Sequence, residues 1–433
     1  MPNVKQKNIG IGLLGLGTVG SGVVKILKSE SRAIEKKTGL RLELRKVCVR
    51  ALSKKRPVAV PKKLLTTRAK DVVNDPSVDV VVELMGGIHP AKEIILKAMA
   101  QGKDVVTANK ALLAEQGEAI FRQAEKFSRQ IGMEASVCGG IPIVKAMREG
   151  FASNNISHFL GIVNGTCNYI LTEMSQRGMD FSYALEEAQS KGYAESNPAL
   201  DIDGMDSAHK LALLARLAFH SKVPFHSIYV EGIRGVSATD IEYASELGYL
   251  IKLLAIGKKM KNGLQLRAHP TLLPLDHPLA SVRGVYNAVF VQADQAGDQL
   301  FYGKGAGQMP TASAVLSDIM DISKKIAAHA PYRASDTRPL QKLRVLPMDD
   351  LVTKYYLRFQ VADRPGVLGQ LAKALGDNHI SILSVHQKET SARSVPVVIL
   401  TYEAAEKNIR KALRLIDRHG DVREKTHVIR VES

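Results

Sequence analysis

The stretch Ile9-Gly-Ile-Gly-Leu-Leu-Gly15-Leu-Gly17-Thr18-Val19-Gly20 runs an apolar segment into the spacing G-x-G-x-x-G. A helical pattern follows at once, with Val23, Val24, Ile26, Leu27 and Ile34 on one face. A strand, a glycine turn and a helix in that order predict the first unit of a doubly wound α/β fold that binds a dinucleotide. Gly15 permits the tight turn, Gly17 lets backbone approach a pyrophosphate, and Gly20 lets helix and strand pack closely. Unpaired N–H groups of the first turn, at Thr18 and Val19, would then face the phosphates.

The next strand, 42–49, ends at Arg50, where an acidic residue would be needed to hold a ribose 2′-hydroxyl. Lys54, Lys55 and Arg56 follow, and cations there suit a 2′-phosphate, so NADP(H) is favoured over NAD(H). A solvated basic loop is the plainer alternative. A strand at 78–82 leads to Gly86 and Gly87 and a helix at 91–100, and a second, 104–107, leads to Asn109 and Lys110. In such sheets ligands lie at the carboxyl ends of strands, so both tips are expected at the cofactor. A lysine opening a helix opposes the helix dipole, which favours a functional reason for Lys110.

The formal charge of +17 raises the question of nucleic acid. Most of the surplus falls in the first 150 residues, tryptophan is absent and no nucleic-acid module is visible. Attraction of anionic cofactors and substrates accounts for the same charge, so no nucleic-acid partner is expected. Three widely spaced cysteines, Cys48, Cys138 and Cys167, make neither a disulfide framework nor a zinc motif. With no apolar run long enough to span a bilayer, a cytoplasmic protein without membrane contact is expected.

Past residue 140 the pattern changes. A strand at 156–163 passes through Asn164-Gly165-Thr166 into a helix. The loop Gly192-Tyr-Ala-Glu195-Ser-Asn197-Pro198-Ala-Leu-Asp201-Ile-Asp203-Gly204 then enters a helix over 205–219. Asp206 and Lys210 share one face of it, and its remaining residues are apolar nearly all round, as in a buried helix. An exposed i,i+4 ion pair is the bland reading. A lysine held beside Asp201 and Asp206 in a desolvated pocket is instead suited to proton transfer.

These segments together resemble homoserine dehydrogenase: Gly-x-Gly-Thr-Val-Gly at the front, Thr-Ala-Asn-Lys at 107–110, and Asp201-x-x-Gly-x-Asp206-x-x-x-Lys210. The resemblance covers essentially the whole chain. With no aspartate-kinase segment ahead of the dinucleotide domain, the monofunctional type is the expectation. It implies NAD(P)H-dependent reduction of L-aspartate 4-semialdehyde to L-homoserine, in threonine and methionine biosynthesis. By motif, Lys210 would donate the proton, with Lys110 and Asp206 completing the catalytic set. Glu195 would bind the substrate ammonium, and Asp201, Asp206 and Lys110 would also contact substrate. It further implies a Na⁺ or K⁺ site at Glu134, Val137, Gly139 and Ile141, cofactor contact at Gly305, and a homodimer or homotetramer. Asn197 and Ala51 stand where many relatives carry aspartate, and neither has a chemical role.

Residues 331–352 are rich in proline, arginine and aspartate and read as a linker. From 353 the pattern is βαββαβ, a ferredoxin-like order. The turn Asp363-Arg-Pro-Gly366 resembles the ACT domain, a binder of amino acids, with Asp363 and Gly366 as effector contacts and L-threonine as the expected effector. The whole is an α/β chain of a Rossmann-like dinucleotide domain (1–140), an α+β catalytic and dimerisation domain (141–330) that returns to the nucleotide domain near 303–330, the linker, and the ACT module (353–433). Two rivals remain: an ACT-bearing 2-hydroxy-acid dehydrogenase, against which the Asp206/Lys210 cluster argues, and a catalytically dead cofactor sensor, against which intact Lys110, Glu195 and Lys210 argue.

Overall fold

The computed structural model describes residues 7–330, 340–388 and 394–432. Residues 331–339, the first part of the expected linker, lie outside the described residues.

Six parallel strands form the first sheet, in the spatial order 65–66, 40–48, 7–14, 80–83, 104–107, 131–132. That is the 3-2-1-4-5-6 order of a dinucleotide fold. Lys7–Leu14 and Val80–Glu83 are buried along almost their whole length, as strands covered by helices on both faces must be. The order reverses between these two strands, and their carboxyl ends open one crevice.

The helical stretch after the glycines is two helices, Thr18–Ser29 and Ser31–Thr38. A long helix, Gln308–Ala327, returns from the central region to pack on the first of them. Gly22 makes this possible, because a Cβ there would lie 2.7 Å from the Gln308 carbonyl oxygen and 2.8 Å from the Ala312 Cβ.

The second sheet is mixed and larger. Its path runs through strands 297–304, 286–293, 156–162, 249–260, 263–274, 427–431, 355–362, 394–401 and 382–387. The last four, with helices Val367–Gly376 and Glu406–Ile416, make the βαββαβ module. The module is continuous with the central sheet, since Arg430 and Val431 pair in parallel with Thr271 and Leu272. The same edge of strand 263–274 takes Tyr229–Val230 at residues 267–268 and a bridge from Val345 at Leu264. The Leu264 N–H donates to the Arg344 carbonyl, and Gln341 bridges Ser221. Residues 344–346 are thus tied to this sheet edge and Gln341 to Ser221, where the composition suggested a linker.

Candidate functional site

The first sheet ends in a glycine cradle. Gly15 lies at φ +100 and donates its N–H to the Cys48 carbonyl oxygen at 3.0 Å, so the 49–56 segment leaves the sheet beside the glycine turn. A Cβ on Gly15 would meet the Leu84 carbonyl oxygen at 2.6 Å, and one on Gly20 would meet that of Gly15 at 2.2 Å. Gly17, by contrast, faces open space at the start of the Thr18–Ser29 helix, whose first turn has no side-chain cap and no acidic residue. Thr18 is exposed and Val19 half-buried on that turn, and Arg50 and Lys54 are exposed on the neighbouring segment. Across the crevice, Gly86 and Gly87 take left-handed φ values of +73 and +74.

Glu83, fully buried, organises that second tip. It accepts the Met85 and Gly86 amides at 2.7 and 3.2 Å and the Thr107 hydroxyl at 2.6 Å. Asn109 caps the Lys110–Lys126 helix by accepting the Leu112 N–H, and its amide group donates to the Gly87 carbonyl at 2.6 Å. Strand tips 83 and 107 are therefore one polar assembly that presents Lys110.

Lys110 meets the central module at Asp206. Its Nζ lies 2.5 Å from Asp206 Oδ1, while Lys210 Nζ donates to Asp206 Oδ2 at 2.7 Å and to the Val163 carbonyl at 2.6 Å. Both Asp206 and Lys210 are buried in the Met205–Phe219 helix, so this is not the exposed ion pair of the bland reading. Burial raises the Asp206 pKa, yet Lys210 and Lys110 more than offset it and hold the carboxyl well below the ordinary range. Burial likewise opposes charge on Lys210, and the Asp206 carboxylate reverses this, leaving the lysine pKa raised.

Asp201 is half-buried on the short Ala199–Ile202 helix, where burial raises its pKa against the hydrogen bond from Asn164. Asn164 Nδ2 donates to Asp201 Oδ1 at 2.7 Å and to Asp206 Oδ2 at 2.8 Å. Glu195 is exposed on the preceding loop, and its carbonyl accepts from Gln189. The structure thus brings Lys110, Asp201, Asp206 and Lys210 together, with Glu195 on the loop that leads to them.

The Glu134–Ile141 segment is a buried turn with left-handed φ at Cys138 (+53) and Gly139 (+47). The Glu134 carboxylate accepts the Val144 and Lys145 amides, each at 2.9 Å. Burial first, with the Asp318 charge adding to it, pushes that carboxyl up to about 7 against the pull of the two amides. Val137, Gly139 and Ile141 offer main-chain carbonyls. Gly305 closes over this turn: the Gly140 N–H donates to the Lys304 carbonyl, and a Cβ on Gly139 would lie 2.5 Å from the Gly305 oxygen. A Cβ on Gly305 would strike the Asn287 amide carbon at 2.0 Å.

In the C-terminal module Asp363 and Gly366 are exposed, and Gly366 (φ +92) precedes the Val367–Gly376 helix. Arg364 pairs with Asp421.

Three residues to which the sequence reading gave no role emerge here: Glu83, Asn164 and Asn287. Asn164 had a signal as the asparagine of Asn-Gly-Thr before a helix, which reads as a cap and nothing more. Asn287 lies mid-strand and had none.

Comparisons with known proteins give the family. Residues 15–134 match the model of the homoserine dehydrogenase NAD-binding domain, 142–320 that of homoserine dehydrogenase, and 355–421 that of the ACT domain. The chain is 44% identical to a homoserine dehydrogenase of Neisseria gonorrhoeae, over 99% of each, and 45% identical to one of Synechocystis, over 98% of this chain and 99% of the relative. A crystal structure of a homoserine dehydrogenase from Thiobacillus denitrificans superposes with a TM-score of 0.92 at 43% identity, covering 99% of both chains. A hyperthermophilic archaeal homoserine dehydrogenase in complex with NADPH matches 75% of this chain and all of its own, with a TM-score of 0.63 at 26% identity. On these matches, which span nearly its whole length, the chain belongs to the homoserine dehydrogenase family of nicotinamide-dependent oxidoreductases.

Proposed function

We propose that this enzyme reduces L-aspartate 4-semialdehyde to L-homoserine with Lys210 as the proton donor. The observation that carries this is the Lys210–Asp206–Lys110 array, in which one buried carboxylate is shared by two lysine side chains. When bound, the nicotinamide supplies the hydride. Lys210 Nζ then gives its proton to the carbonyl oxygen as negative charge develops there, and Lys110 stabilises that charge from the other side of Asp206. Asp201 and Glu195 are the carboxylates for the substrate ammonium. Loss of absorbance at 340 nm with aspartate semialdehyde, run with NADPH and with NADH, tests the reading; no turnover with either would end it.

NADP(H) is favoured over NAD(H) because the segment carrying Arg50 and Lys54 emerges beside the Gly15 turn with no carboxylate at its start. The open face of Gly17 and the uncapped Thr18–Ser29 helix fit a pyrophosphate.

The 134–141 turn fits Na⁺ or K⁺, whose hard, oxygen-seeking chemistry matches the carbonyls of Val137, Gly139 and Ile141 beside the buried Glu134 carboxyl. A cation there would brace the turn on which Gly305 rests. The Glu134 side chain is already engaged by two amides, so its share would be a carbonyl or a remaining lone pair.

L-Threonine is the effector this reading assigns to the C-terminal module. The left-handed Gly366 at a helix start leaves N–H groups for a carboxylate, with Asp363 nearby for an ammonium. A homodimer or homotetramer is supported by two edge strands with exposed apolar residues: Leu300 and Tyr302 at one end of the large sheet, Leu383 and Val385 at the other. Three free, buried cysteines suit a cytoplasmic setting.

A further inference from the structure

The exit of strand Ile156–Ile162 carries two consecutive residues that both grip the proton-donating array. The Val163 carbonyl accepts from Lys210 Nζ at 2.6 Å, and the Asn164 side chain grips the carboxylates. Both ends of the Asn164 amide are engaged. Its oxygen accepts the Cys167 N–H at 2.8 Å as the cap of the Gly165–Arg177 helix. Its two N–H bonds go to Asp201 and Asp206, one each. The orientation follows, since a flipped amide would set its oxygen against two carboxylates and its NH₂ against a backbone N–H.

The amide is neutral, buried, and shared by three elements: the helix it caps, the Ala199–Ile202 turn with Asp201, and the Met205–Phe219 helix with Asp206. Among the described residues no lysine bridges Asp201 and Asp206; Lys210 and Lys110 are both on Asp206. Two carboxylates facing one another without a donor between them would repel and swing apart. Asp206 would then lose the orientation that gives Oδ1 to Lys110 and Oδ2 to Lys210.

We propose that Asn164 is a positioning residue for the reaction: it bridges Asp201 and Asp206 and so keeps the substrate-facing carboxylate in register with the Lys210 proton donor. This rests on the proton-donor reading of Lys210. The groups facing the amide and its carboxylates are Asp201, Asp206, Lys210 and Lys110, with the buried thiols of Cys138 and Cys167 behind them. Both thiols have pKa values raised by burial, so neither ionises near neutral pH.

Two variants of the full chain separate positioning from helix capping, because serine and aspartate both cap helices well. Asn164→Ser keeps an acceptor for the Cys167 N–H and replaces two N–H donors by one shorter O–H, which cannot bridge both carboxylates. Asn164→Asp keeps the shape and adds a third carboxylate. Misplacement of a reacting group by a fraction of an ångström is expected to lower kcat about tenfold or more in both, with KM for NADPH within about twofold. In Asn164→Asp the deficit should shrink as pH falls from 8 to 6, because the introduced carboxyl, once protonated, donates to one of its neighbours again. In Asn164→Ser it should stay constant with pH. Normal kcat in the serine variant, deficits that run parallel with pH, or failure of both variants to fold would overturn the proposal. Lys210→Ala, assayed alongside, keeps the two ideas apart. If it is inactive while Asn164→Ser is normal, only the positioning role falls; if it turns over normally, the proton-donor reading falls and takes this inference with it.

Discussion

Arg358 of the C-terminal module reaches into the central module and closes a bidentate pair on Asp240, Nε to Oδ1 at 2.7 Å and Nη2 to Oδ2 at 3.1 Å. Asp240 is fully buried and is also the N3 residue of a capping box that starts the Ala238–Glu246 helix. Tyr356 donates to the same carboxylate at 3.0 Å, and His427 Nδ1 stands 3.1 Å away. Burial pushes this carboxyl up, and His427 and Arg358 outweigh it, so the pKa is lowered. This carboxylate is thus one of the charges that fasten the seam between the modules, beside the Arg430–Glu231 and Lys388–Glu242 pairs.

Arg358→Met should cost on the order of 3–5 kcal/mol, the usual cost of breaking a buried pair by one partner. If threonine acts through this seam, the variant should also lose most of a coupling that is typically worth about 5- to 150-fold in affinity or activity. Thermal melts and threonine titrations of the full enzyme check the two parts separately. An unchanged threonine response in a destabilised variant would route the signal elsewhere.

Lys210→Ala should lower kcat by roughly 10²–10⁴, the share of a proton-transfer group, and leave KM for the cofactor near its starting value. Steady-state rates in both directions measure this. Near-normal turnover would remove Lys210 from the chemistry.

Cofactor choice should turn on the exposed segment beside Gly15. Arg50→Asp should shift the ratio of kcat/KM values from NADPH toward NADH, since a carboxylate repels a 2′-phosphate and accepts from a 2′-hydroxyl. An unaltered ratio would place the 2′ position away from Arg50.

Acid should loosen the same seam through His269. This ring is buried, accepts from Arg267 Nε at 3.1 Å, and has Nδ1 2.8 Å from the Pro270 carbonyl. Burial, then the charges of Arg430 and Arg267, hold its pKa well below 6.5. The folded ring is neutral, and the unfolded one takes up a proton below about 6.5. Unfolded chains therefore bind more protons there, and stability falls as pH drops from about 6.5 toward the folded value, by about 1.4 kcal/mol per pH unit. His269→Gln, which keeps an acceptor for Arg267, should flatten that slope in urea titrations at pH 5, 6 and 7.5. A slope equal to the parent's would assign the acid sensitivity to other groups.

Much of this was legible in the sequence where a physical rule acts locally. The Met205–Phe219 helix and the glycine turn at 15–20 follow from periodicity and from the space a Cβ would need. So does the nearness of Asp206 and Lys210, one helical turn apart. The partners across space were not legible. Lys210 bonds to a main-chain oxygen at Val163, and any residue there offers the same carbonyl. Asn164 looked like a helix cap because capping is its local task, while Asp201 and Asp206 lie some forty residues on. The pairing of 271–272 with 430–431 is too short and too distant to leave a pattern. Composition made 331–352 look like a tether, although the backbone of 341–346 is tied to Ser221 and Leu264.

That short parallel pairing has a consequence for how the enzyme is made. Strand 263–274 leaves the ribosome long before 427–431 does, so during synthesis its free edge waits with 229–230, and later 345, to shield it. An open edge of apolar strand is a template for another nascent chain. Strand 427–431 is therefore the keystone of the sheet that the central and C-terminal parts share: until it has been made, their pairing waits.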